Sequence, residues 1–142
     1  MLVQILLGTV ITFCSVIVGA VMWWLLIRML RRIEPWVRRP PYAFKTIGVI
    51  CLVVTWTMAV VMLGVGIWAT VFIAIDTFDT VEEAIYYSLV AYTTLGLGDV
   101  LVPLQWRLLG GMVGANGFLM FGLLTAMLTD TLRDMRRMRW SD

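Results

Sequence analysis

Two runs of the chain, Ile5 to Ile27 and Ile47 to Ile75, contain no charged residue. A chain built around such runs cannot cover a water-soluble core with a charged surface. Each is long enough for a helix to cross the hydrocarbon layer, which takes about 20 apolar residues for about 30 Å. The rest of the sequence agrees: 61% of its 142 residues are hydrophobic and only 14% are charged. The expected fold is an all-α membrane protein with three transmembrane helices, the third at about 106–130. The first run lacks the basic start of a cleaved signal peptide and is too long for one, so it reads as a retained helix.

The charges are segregated. Arg28, Arg31, Arg32, Arg38, Arg39 and Lys45 occupy one segment, Arg133, Arg136, Arg137 and Arg139 the tail, while Asp76, Asp79, Glu82, Glu83 and Asp99 gather elsewhere. Loops rich in Lys and Arg stay cytoplasmic, which predicts an outside N-terminus and a cytoplasmic C-terminus in a plasma membrane, bacterial inner membrane being the natural setting. Basic clusters that flank apolar spans also suit anionic lipid, and they argue against nucleic acid as a partner. The expected organisation is a helix over 1–27, an interfacial linker over 28–46 containing Pro35, Pro40 and Pro41, a membrane domain over 47–132 and a basic tail over 133–142. The outer helix of that domain is placed at 47–75. No soluble domain follows Trp140, so no large cytoplasmic sensor is expected in this chain.

On this topology, residues 76–105 begin and end outside. Thr80 and Glu83 have the spacing of a capping box, which starts a helix over about 80–93. Such a helix is about 20 Å long and too short to span, so it lies in the interface or dips into the membrane and returns as a re-entrant loop. Irregular backbone at that depth is tolerated only where protein buries it or water reaches it.

The return begins with Thr93-Thr94-Leu95-Gly96-Leu97-Gly98-Asp99. Gly96 and Gly98 are not a dinucleotide fingerprint, because Leu101 stands where the third glycine belongs and no βαβ unit is available. An exposed turn at Gly98-Asp99 leaves the short apolar helix unexplained. A cation filter explains both, since stacked carbonyls need backbone conformations that glycine adopts cheaply.

Thr93 to Asp99 resembles the potassium-channel signature T-x-G-Y/F/L-G-D. Ala84 to Asp99 resembles the pore helix and filter of simple bacterial potassium channels, with Tyr86 and Tyr87 in the place of an aromatic pair. Pro103 to Asp130 resembles their inner helix, with Gly117 at the hinge glycine, so the resemblance covers about 47–130. It implies a homotetrameric pore conducting K+ passively, with a weakly selective cation channel and a non-conducting channel-like regulatory membrane subunit as the alternatives. The implied filter is Thr94, Leu95, Gly96, Leu97 and Gly98, flanked by Thr93 and Asp99, with K+ held at Thr94, Leu95, Gly96 and Leu97. The pore-lining and hinge positions it implies are Asn116, Gly117, Phe118, Phe121, Thr125 and Thr129.

Several of these residues admit a second reading. Thr125 and Thr129 suit a wet conduit or local bonding to the preceding helical turn, and Asn116 suits a cavity or an interhelical bond. Gly117 suits a hinge or close packing. Leu97 replaces the usual Tyr or Phe and can only pack, and it is expected to do so, with Leu95, against the short helix. Val90 stands where some members carry a Glu that bonds the Asp after the filter, so Asp99 needs another partner.

Cys14 and Cys51 fall in apolar spans, and no disulfide is expected. No nucleophile–base pair and no metal-ligand set is evident, so neither an enzyme nor a cofactor beyond the permeant ion is expected.

Overall fold

A computed structural model describes the backbone of residues 1–37 and 40–140, and the side chains of these except 42, 43, 132 and 134–140. Arg38 and Arg39 of the linker, and the side chains of Arg136, Arg137 and Arg139 in the tail, lie outside the described residues. The chain forms α1 (Leu2–Val37), α2 (Tyr42–Ala74), α3 (Val81–Tyr92) and α4 (Arg107–Trp140), with a short 3-10 turn, Leu104–Trp106, before α4. No strand occurs among the described residues. Leu2–Val37, Phe44–Ala74 and Leu104–Thr131 are each long and apolar enough to cross a membrane. α3, with 12 residues, is about 18 Å long and is not.

The boundaries differ from expectation at the linker. α1 does not stop at residue 27 but continues to Val37, and Pro35 lies inside its last turn. Proline there forgoes the backbone bond to the Arg31 carbonyl, and the helix ends two residues later. Lys45 Nζ closes the corner between α1 and α2: it donates to the Trp36 carbonyl at 2.8 Å and lies 4.6 Å above the Trp36 ring. α4 likewise continues past residue 130 into the tail.

α1 and α2 run antiparallel, joined by the buried cluster of Leu26, Val49 and Val53 and by Trp56 Nε1 donating to the Met22 carbonyl at 3.1 Å. α1 and α4 run parallel. Gly8 faces Leu109 and Met112, and Gly19 faces Met120. At the start of this pair Gln4 donates to the Gln105 carbonyl and accepts from the Leu109 N–H at 3.3 Å. That amide belongs to the first turn of α4, where helix N–H groups lack helical partners.

α3 begins as its sequence predicts, with Thr80 Oγ1 accepting from the Glu83 N–H at 3.2 Å. One stripe of it, Ala84, Ser88 and Tyr92, is buried. Tyr87 packs its ring 5.3 Å from Phe72 and 5.2 Å from Phe78, which pins the helix to the end of α2. Against α4 the contact is far closer. A Cβ on Gly110 would strike Tyr87 Oη, one on Gly114 would lie 3.3 Å from the Ala91 carbonyl, and one on Gly117 would overlap the Tyr92 backbone. Gly110, Gly114 and Gly117 therefore form a bare stripe on which α3 rests, the use of small residues that lets membrane helices approach. On the other side, Gly64 of α2 makes room for the Tyr92 hydroxyl.

This contact makes a prediction. Gly117→Ala, which presses against backbone that cannot rotate away, should destabilise the folded chain by about 3 kcal/mol or prevent folding. Gly48→Ala, where a Cβ meets nothing within 4 Å, should be neutral or slightly stabilising. Thermal unfolding in detergent compares the two.

Candidate functional site

The segment after α3 is fixed by the way that helix stops. The Thr94 N–H donates to the Ala91 carbonyl at 3.0 Å and the Leu95 N–H to the Val90 carbonyl at 3.0 Å, with Thr94 left-handed at φ 59 between them. This is a Schellman C-cap. α2 ends in the same way, with Asp76 at φ 49, Asp76 N–H on Ile73 and Thr77 N–H on Phe72. Aspartate tolerates that conformation, whereas a β-branched threonine is a true outlier at a cost of about 1–2 kcal/mol. The cap calls for a left-handed residue at 94 but not for a threonine.

The left-handed conformation then recurs at every second residue: Thr94 at φ 59, Gly96 at φ 60 and Gly98 at φ 78, with Leu95 and Leu97 outside that region. Alternating handedness turns successive peptide groups toward the same side of the chain, as in backbone ion nests. The side is set by the cap. The N–H groups of Thr94, Leu95 and Gly96 all point back into α3, the last to Val90 at 3.3 Å. In a trans peptide the carbonyl opposes the N–H, so the oxygens of Thr93, Thr94 and Leu95 face away from α3. A Cβ at Gly96 or Gly98 would meet nothing within 4 Å, so their φ values, and not space within the subunit, call for glycine.

Leu95 and Leu97 do not pack against α3 as the sequence suggested; they are 64% and 58% exposed. The backbone hugs the helix end through its amides, which leaves both side chains projecting from the subunit. Thr93 Oγ1 donates to the Leu89 carbonyl at 2.7 Å, so this hydroxyl is turned toward the helix. Asp99 has a partner: Tyr86 donates to its carboxylate at 2.5 Å, a charge-assisted length. That bond holds the Asp99 carboxyl below the usual carboxylate range and raises the Tyr86 phenol.

Further along, Phe118, Phe121, Thr125 and Thr129 are exposed and share one face of α4. Thr129 Oγ1 donates to the Thr125 carbonyl at 2.9 Å, the local bond of the second reading. Asn116 does not join this face. It is buried at 1% exposure, on the side shared by Val113, Met120 and Leu124. Gly117 has a packing role that needs no hinge. The residue that sequence reading passed over is Tyr92, wholly buried between Gly64 and Gly117. A large aromatic next to the glycine-bearing stretch, with glycines on both neighbouring helices, was the available signal.

The Tyr86–Asp99 bond has a pH signature. Asp99 is depressed in the folded state, so its contribution is complete above the ordinary carboxylate range and is lost as pH falls through the lowered folded value. Tyr86→Phe should move the Asp99 midpoint upward, toward that of a free carboxylate, and should shift the loss of local order to higher pH. Carboxyl-carbon NMR titration of both proteins measures it.

A family model described as "Ion channel" matches residues 49–134, a span holding most of α2, α3, the 94–98 backbone and most of α4. No curated protein and no solved structure matches the chain. A match over more than half of the chain, on the helices that present this backbone, means that the protein belongs to the ion channel family.

Proposed function

We propose that the protein is a potassium-selective channel, a homotetramer that passes K+ passively through a pore lined by the carbonyls of Thr94, Leu95, Gly96 and Leu97. The observation that carries this reading is the alternation of left-handed residues at 94, 96 and 98, with the oxygens of Thr93, Thr94 and Leu95 turned away from α3. Carbonyls aimed in this way can replace a cation's hydration shell. One chain supplies one strand, and a ring needs several. The exposure of Leu95, Leu97, Phe118 and Phe121 on the single subunit supports burial against other copies. In this arrangement α3 is the re-entrant pore helix. Its C-terminal end, the negative end of its dipole, favours a cation at the cavity below. Thr94 contributes a hydroxyl at the inner end of the filter and Asp99 a charge at the outer end. Phe118, Phe121, Thr125 and Thr129 line the conduit. The basic corner and tail face the cytoplasm and anionic lipid of the plasma membrane, and the N-terminus lies outside.

The exposure of Leu97 favours a second reading, a weakly selective cation channel, because no hydrogen bond ties this side chain to α3. Purified protein in vesicles under opposed K+ and Na+ gradients decides between them. A reversal potential near the K+ equilibrium value is expected; one near zero would establish weak selectivity, and no current would sink both readings.

Two substitutions sharpen the test. Gly98→Ala must place a Cβ at φ 78, at about 1 kcal/mol or more per subunit, and should abolish most K+ current while the protein still assembles. Thr94→Gly relieves strain and should leave the protein as stable as the parent, or more so, while lowering K+ permeability through loss of the hydroxyl. Vesicle flux paired with thermal unfolding separates these effects.

A further inference from the structure

The buried polar side chains that take no part in the conduction path include Ser15 on α1, Tyr92 at the end of α3 and Asn116 on α4, exposed 2%, 0% and 1%. Ser15 Oγ, Tyr92 Oη and both amide atoms of Asn116 complete no hydrogen bond among the described residues. Each is costly when left alone, and more so at membrane depth, where water cannot substitute freely.

Their placement is not scattered. Gly8 and Gly19 of α1 meet Met112 and Met120 of α4, so Ser15, between the two glycines, is level with Asn116 and Gly117. Tyr92 lies against that same level, since its backbone rests on Gly117 and its hydroxyl crosses the gap left by Gly64. Ile11, one helical turn before Ser15 on α1, shares the buried cluster that holds Tyr92, which brings this stretch of α1 to the end of α3. A hydroxyl pair and an amide supply donors and acceptors to one another, and small rotations or a bridging water complete such a set.

We propose that Ser15, Tyr92 and Asn116 form one buried polar node through which α1 positions the end of α3, and with it the 94–98 backbone. Tyr92 is then a positioning residue. It stands two residues before Thr94, and it is gripped by a helix, α1, that lies outside the matched residues 49–134. The consequence for selectivity rests on the channel reading above; the positioning itself does not.

The test uses the full chain in vesicles, as wild type, Tyr92→Phe, Ser15→Ala, Asn116→Leu and the Tyr92→Phe/Ser15→Ala double variant. Amide hydrogen exchange over residues 93–99 is read beside the K+ to Na+ permeability ratio. Each single change should speed exchange about fivefold, the factor for one net hydrogen bond, and the double variant should go no further than either single. Ser15→Thr, which keeps the hydroxyl, should restore the wild-type rate, and the permeability ratio should fall in the same variants that exchange faster. Unchanged exchange, or additive effects in the double variant, would overturn the node. So would a Tyr92→Phe protein more protected than wild type, the result for a hydroxyl that is simply unpaired. A wild type that passes no cation would defeat the channel reading alone, with the exchange pattern still deciding the node.

Discussion

The approach of α3 to the glycine stripe of α4 is the contact on which the rest of the molecule depends. A 12-residue helix cannot span, so its end must stop inside the subunit at a height that something else determines. Gly117 sets that height, because the Tyr92 backbone occupies the space a Cβ would need. The Thr93 to Asp99 segment hangs from this point. Gly110 and Gly114 add the rotational setting, taking Tyr87 and the Ala91 carbonyl on the same stripe. With that face of α4 committed to α3, Phe118, Phe121, Thr125 and Thr129 are left exposed, so one contact fixes both the glycine-bearing backbone and the free face below it.

Local and non-local demands meet at Thr94. A Schellman cap needs one left-handed residue, and Asp76 shows that the chain can supply a tolerant one at the end of α2. At the end of α3 the same geometry carries a threonine, and the pattern does not stop there but recurs at Gly96 and Gly98. The cap alone explains the first of the three and none of the others. The strain sits at Thr94 alone, because glycine adopts a positive φ without steric cost, and outliers of that kind cluster at functional sites.

The sequence made much of this legible because membrane burial and helix capping are local properties. Uncharged runs located the spans, and Thr80 with Glu83 located the start of α3. Gly96 and Gly98 announced unusual backbone before any coordinates. What it hid depends on contacts between distant segments. Nothing near Asn116 distinguishes a cavity wall from the subunit interior; its burial follows from which face of α4 meets α1. Gly117 looked like a hinge candidate by position, whereas its packing role needed the path of Tyr92. The continuation of α1 past residue 27 was masked by Pro35, which reads as a breaker but falls where the helix is about to end.

The pattern of directional bonds along 93–99 bears on how such a backbone could discriminate between ions. Its start is held by three amides turned into α3, and its end by the Tyr86–Asp99 bond. Between them Leu95 and Leu97 offer only apolar surface, exposed on the single subunit. Apolar packing resists compression well but specifies orientation weakly, because it lacks the angular dependence of a hydrogen bond. On the channel reading, the middle of the strand is therefore held by neighbouring copies and by whatever steadies the end of α3. This is why a tyrosine buried behind the strand has leverage over it: Tyr92 sets the starting direction of a backbone whose centre has no directional tether of its own.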